Sequence, residues 1–244
     1  MADDTGRAAF YAARPGGWRD WWTVLHPPYT AWHLSYVAIG AALAPHLDGV
    51  RLGATVLAFF AAMGIGAHAL DELHGHPLGT RIPDRVLIGA SVAGVVAAVA
   101  LGVAGLGRVG LILVPFIVVG PVLVVAYNLE LFGGRLHTDV GFALSWGAFP
   151  VLTAYVAQAA QIDAAALLGA AAAFALSYAQ RSLSTPARLL RRRVQHAEGL
   201  VTLDDGEVRP ITTETLLGPL ERTLRALAWT VVLLAAAMVS ARLW

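Results

Sequence analysis

The chain has no cysteine, which excludes disulfides and thiolate metal ligands. It has no lysine either: all 17 basic residues are arginine, so Schiff-base chemistry and the lysine of a P-loop are excluded. Charged residues make up only 14% of the 244, against 57% hydrophobic, and the mean hydropathy is +0.65. A water-soluble core cannot absorb that much apolar surface, so the composition is that of a polytopic membrane protein. The first 25 residues carry Asp3, Asp4, Arg7, Arg14 and Arg19 and lack the apolar core of a cleavable signal peptide. Low-complexity linkers and a second-domain boundary are also lacking, which predicts one integral membrane domain over residues 1–244.

What is present are apolar runs broken by short polar joints. Tyr29 to Pro45, Leu52 to Leu70, Val86 to Leu106, Val109 to Tyr127, Val140 to Ala160, Ile162 to Ala179 and Leu224 to Leu243 each approach the length a helix needs to cross a bilayer. They predict an all-α, polytopic transmembrane bundle of about seven helices: an arm (1–28), a six-helix core (29–180), a cytoplasmic loop (181–223) and a last span (224–243). With the N-terminus inside, 14 arginines fall on the cytoplasmic side and only Arg51, Arg108 and Arg242 on the other, as expected for short retained flanks in a bacterial or archaeal plasma membrane. Every histidine except His46 then lies near the cytoplasmic face. Trp18, Trp21, Trp22, Tyr29 and Trp32 suit an interfacial helix entering the first span. Arg181 to Val194 has the basic and apolar mixture of a helix on an anionic lipid surface, and Asp205-Gly206 predicts a β-hairpin. Arg191-Arg-Arg193 is read as a topology signal and lipid-facing charge, not a nucleic-acid site.

The chemistry gathers at the end of the second span. His68, Asp71 and Glu72 are spaced i, i+3 and i+4, on one helical face, and His74 and His76 follow before Pro77. Burying such groups is costly unless they are paired or ligated, so a metal or anion site is expected; the bland alternative is an interfacial cap paired with arginines and water. Imidazole with carboxylate suits zinc, iron or manganese, and carboxylate alone suits magnesium. A second segment, Tyr127 to Asp139, adds Glu130, Arg135 and His137 at the same depth. Asp139 equally suits a helix cap, His26 an interfacial residue beside Pro27 and Pro28, and His33 a hydrogen-bonded ring within the first span.

These two segments, with Gly147-Ala-Phe-Pro150-Val-Leu-Thr-Ala-Tyr155-Val-Ala-Gln158, resemble the UbiA-type intramembrane prenyltransferase superfamily over roughly Leu52 to Gln158. That superfamily carries an Asn-Asp-x-x-Asp-x-x-x-Asp signature ending its second helix, a tyrosine ending helix four and a glycine-acid step opening helix five. Here Ala67 replaces the asparagine, His68 the first aspartate and Gly75 the last; Asp71 remains, and Tyr127 and Asp139 match the later positions. The relatives' second acidic motif falls where this chain reads Ser177-Tyr-Ala-Gln180-Arg181-Ser-Leu-Ser184.

The resemblance implies metal-dependent transfer of an isoprenoid group to a lipid-soluble or aromatic acceptor. Asp71, Glu72, His68 and Tyr127 would be catalytic, and Arg81, Arg135, Arg181 and Asp139 would bind an isoprenoid diphosphate. Metal candidates are His68, Asp71, Glu72, His74, Glu130 and His137, with magnesium for a prenyltransferase. The first alternative is a histidine and carboxylate centre holding iron, zinc or manganese, with His26, His33 and His76 as further ligand candidates, acting on a lipid or quinone-like substrate. The second is a non-catalytic membrane binding or assembly protein.

Overall fold

The computed structural model describes residue 13 and residues 15–243, so Asp3, Asp4, Arg7 and Arg14 of the arm lie outside the described residues. A short helix α1 (Trp18–Val24) exposes Trp18 and Trp22, and α2 (Pro27–Leu43) follows. The next rod is composite: α3 (Gly49–Phe59), a π-helical segment (Phe60–Ala67) and α4 (His68–Leu73). After a loop come α5 (Asp84–Val109) and α6 (Val114–Asn128). A second composite rod joins α7 (Asp139–Ala143), a π-helical segment (Leu144–Ala148) and α8 (Phe149–Ala159). Then come α9 (Ala164–Arg192), strands β1 (Glu198–Thr202) and β2 (Val208–Thr212), and α10 (Thr213–Leu243).

Helix starts follow local chemistry. The Asp48 carboxylate accepts from Val50 N at 2.8 Å and Arg51 N at 3.1 Å, capping α3, and Asp163 caps α9 through Ala165 N at 2.9 Å and Ala166 N at 3.2 Å. Pro27 opens α2, where the missing N–H costs nothing.

Five helical runs are long and apolar enough to cross a membrane: Gly49–Leu73, Asp84–Val109, Leu111–Asn128, Asp139–Ala159 and Thr213–Leu243. Helix α5 exposes Val92, Val96 and Val103, the outward apolar surface that lipid would cover. Helices also form over the other two predicted segments, but α2 has only 17 residues and the apolar stretch of α9 ends at Gln180. Helix α2 is instead the interior rod. Its Trp32 and Tyr36 pack with Val151 of α8, Ala173 of α9 and Val231 of α10 in one buried cluster. Gly40 permits the close approach, because a Cβ there would strike the Val151 carbonyl.

The segment after Ala179 continues the preceding helix. Helix α9 runs unbroken through Pro186 to Arg192 and buries Ser184 and Ala187, so one face of its basic end turns inward. The expected hairpin is present: Glu198 pairs with Thr212 and Thr202 with Val208, and Gly206 supplies the positive φ of the turn.

Candidate functional site

A cavity of about 330 Å³ opens where α2, α4, α6 and α9 meet. The composite rod supplies Met63, Ala67, His68, Asp71 and Glu72; the ends of α2 and α6 supply His26, His33, Tyr127 and Asn128; the following loops add His74, Glu130 and His137. From α9 come Gln180, Arg181, Ser184, Arg188, Arg191 and Arg192, at the spacing of one helical face.

The adjacent carboxylates differ in use. Glu72 is wholly buried and holds the loop that follows it: Oε2 accepts from Leu78 N at 3.1 Å, and Oε1 from Thr80 N at 3.1 Å and Thr80 Oγ1 at 2.7 Å. His76 bridges Glu72 at 3.3 Å and Asp84 at 2.8 Å, and does not line the cavity. The Asp84 hydrogen bond holds the His76 imidazole above its ordinary pKa. Asp71, by contrast, makes no hydrogen bond or ion pair among the described residues, and its charged neighbours are Arg188, His74 and Arg181.

Four cavity imidazoles are pinned alike. Nδ1 of His33 meets Trp146 O at 2.8 Å, that of His68 meets Gly64 O at 3.1 Å, that of His74 meets Leu70 O at 3.3 Å and that of His137 meets Tyr127 O at 3.2 Å. A carbonyl only accepts, so in the neutral ring each Nδ1 carries the proton and each Nε2 keeps its lone pair. The His26 and His68 rings pack with centroids 4.7 Å apart. Burial, reinforced by Arg192 and Arg188, pushes the His26 imidazole down to about 4.

The cavity carries more guanidinium than carboxylate. Arg181 pairs with Asp139 at 3.0 Å and lies over the Phe142 ring, while Arg191 pairs with Glu221 at 3.4 Å. Arg188 and Arg192 have no hydrogen bond or ion pair among the described residues. Burial holds the Arg188 pKa below its ordinary value, and Arg181 and Arg192 push it the same way. Two buried polar atoms in the lining also lack partners, the Tyr127 hydroxyl and Gln180 Oε1.

Against the sequence expectations, His68, Asp71, Glu72, His74, Tyr127, Glu130, His137 and Arg181 are brought together. Arg81 and Arg135 are exposed and do not line the cavity. Asp139 does not cap its helix: Thr138 does, accepting from Gly141 N at 3.0 Å, and Asp139 serves Arg181. Arg188, Arg191 and Arg192 were read as lipid-facing or not singled out. Their spacing from Arg181 on an uninterrupted helix was the available signal.

Below the polar chamber lies an apolar one of about 360 Å³, lined by Phe59 and Ala62, Val99 and Gly102 of α5, Phe116 of α6 and Phe149 of α8. Met63 and Trp146 line both chambers and stand at the boundary between them. Both come from π-helical segments.

Among the described residues no three His, Asp or Glu side chains converge to hold a metal. Glu72 is committed to its loop. Asp71 is the lining carboxylate left without a hydrogen bond or ion pair among the described residues, and magnesium takes one or two carboxylates and completes its shell with substrate phosphates and water. Fold and cavities together define a class, a helical bundle of membrane-crossing character that holds a cationic chamber and an apolar one with two lining side chains in common. The chain matches no protein-family model, no curated protein and no solved structure.

Proposed function

We propose that this protein is a UbiA-like intramembrane transferase of isoprenoid groups, with seven membrane-crossing helices and its polar chamber facing the cytoplasm. The observation that carries the reading is that Arg188 and Arg192, with Arg181, line a cavity with Asp71, that Arg188, Arg192 and Asp71 are unpaired among the described residues, and that an apolar chamber adjoins this cavity. That arrangement complements an anionic head on an apolar tail. The 14-to-3 distribution of arginines supports the orientation.

In this reading the guanidiniums of Arg181, Arg188 and Arg192 bind the diphosphate of the donor. As the allylic C–O bond breaks, the electron pair leaves with the diphosphate, and these pre-placed cations stabilise the charge that develops. Magnesium held by Asp71 would add Lewis-acid charge to the same leaving group. Trp146, which lines both chambers, and Tyr127, packed edge to face against it, would stand beside the allylic carbon as cationic character forms there. A lipid-soluble or aromatic acceptor then adds to that carbon and loses a proton.

The test is binding and turnover of farnesyl diphosphate in lipid nanodiscs. Arg188→Gln is expected to weaken binding by about tenfold to a hundredfold, the loss of one charge-assisted contact. Asp71→Asn is expected to abolish transfer to an aromatic acceptor. Absence of saturable binding by the unaltered protein, or indifference to Arg188→Gln, overturns the proposal; binding without transfer in the unaltered protein identifies a carrier.

A further inference from the structure

Two arginines, Arg51 and Arg108, line the apolar chamber at the end away from Met63. Arg51 lines the chamber near the start of α3, and its guanidinium donates to Gln158 O at 2.9 Å, Ala157 O at 3.4 Å and Arg108 O at 3.0 Å. It also lies 3.7 Å from the Asp48 carboxylate. It thus ties the C-terminal ends of α5 and α8 across the base of α3 and presents a fixed, hydrogen-bonded cation where the apolar lining stops. An apolar chain end pushed against it would displace these hydrogen bonds, which costs free energy.

The length of the chamber follows from the helix that borders it. Arg51 and Met63 both line it, twelve residues apart on one rod, or about 18 Å at the helical rise. An extended isoprene unit advances about 5 Å, four bonds of about 1.5 Å in zigzag. Three units from Met63 therefore fill the chamber, and a fourth meets the guanidinium. The width is equally restricted, because Gly102 faces Ile117 so closely that a Cβ would lie 2.8 Å from its Cγ1.

We infer that Arg51 is the specificity-determining floor of the site, limiting the tail to about three isoprene units. The inference rests on reading the polar chamber as an isoprenoid head-group site. It concerns the opposite end of the cavity, so the two are tested separately.

The experiment measures binding of geranyl, farnesyl, geranylgeranyl and solanesyl diphosphates, and of the matching alcohols, to the full chain in nanodiscs. The unaltered protein is expected to bind farnesyl best and to lose affinity by about tenfold or more at geranylgeranyl and beyond, the scale at which a filled pocket rejects added methylenes. Arg51→Ala should remove that loss. Ala58→Phe, which places a ring inside the chamber between Arg51 and Met63, should move the optimum to geranyl. Affinity that keeps rising through solanesyl, or a folded Arg51→Ala protein with an unchanged profile, overturns the inference. Should Arg51→Ala fail to fold, an unchanged profile in Ala58→Phe overturns it alone. Equal binding of diphosphates and alcohols with the length cut-off intact would defeat the head-group reading and leave the floor standing.

Discussion

Asp71 and Glu72 are neighbours of the same chemical type with opposite thermodynamic roles. Glu72 satisfies three donors of its own loop, so Glu72→Ala leaves them without a charged acceptor and should cost on the order of 3 kcal/mol. The expected readout is a lower melting temperature with faster hydrogen exchange across residues 74–83. Asp71 makes no hydrogen bond or ion pair among the described residues and has only the longer-range attraction of Arg188, His74 and Arg181, so Asp71→Ala should leave the melting temperature unchanged or raise it, as happens when a site keeps a costly group for its ligand. A lower melting temperature for Asp71→Ala would refute that assignment. The sequence displayed both carboxylates at one helix end. It could not show that a turn through Gly75, His76 and Gly79, all at positive φ, folds back onto only one of them.

Acid sensitivity also belongs to single residues. His26 has a folded pKa of about 4 against an ordinary 6.5, so between those values the unfolded chain binds a proton that the folded one rejects. Its contribution to stability is full above pH 6.5 and declines as pH falls towards 4. Melting temperatures measured from pH 7 to pH 4 should fall, and less steeply in His26→Gln.

Among the elements, α4 brings His68, Asp71 and Glu72 to one cavity as α-helical spacing predicts, and what the spacing does not give is their separate partners. In the folded chain His68 packs on His26, Asp71 faces α9 and Glu72 faces its loop. Because Phe60–Ala67 is apolar all round, no polar residue marks its phase, and the wider winding leaves no trace in the pattern. The hairpin was legible because Asp205-Gly206 carries its turn chemistry locally. The inward turn of the α9 arginines was not, since a basic helix beside lipid and one beside a cavity share a composition.

Close contact between elements gives a sharp steric forecast. A Cβ on Gly94 of α5 would strike the Ala61 carbonyl in the first π segment, whereas Gly89 on the same helix has open space. Gly94→Leu should therefore destabilise by about 1–3 kcal/mol or more, and Gly89→Leu should be nearly neutral, as read from melting in detergent. Equal effects would mean that α5 does not pack as described.

For the molecule as a whole, the span count was legible from hydropathy for the five most apolar rods. It was less so for α2, whose short apolar length and buried surface are those of an interior helix. Orientation can be read directly because the chain has no native cysteine. In intact cells His196→Cys is expected to resist an impermeant maleimide and His46→Cys to react with it; the reverse pattern would invert the molecule.

Among the described residues the two chambers share only Met63 and Trp146, so the energetics of head and tail are nearly independent. Variation along the floor could then diversify the lipids this protein accepts without disturbing the chemistry at the other end. One scaffold could thus yield a series of proteins that share a reaction and differ only in reach.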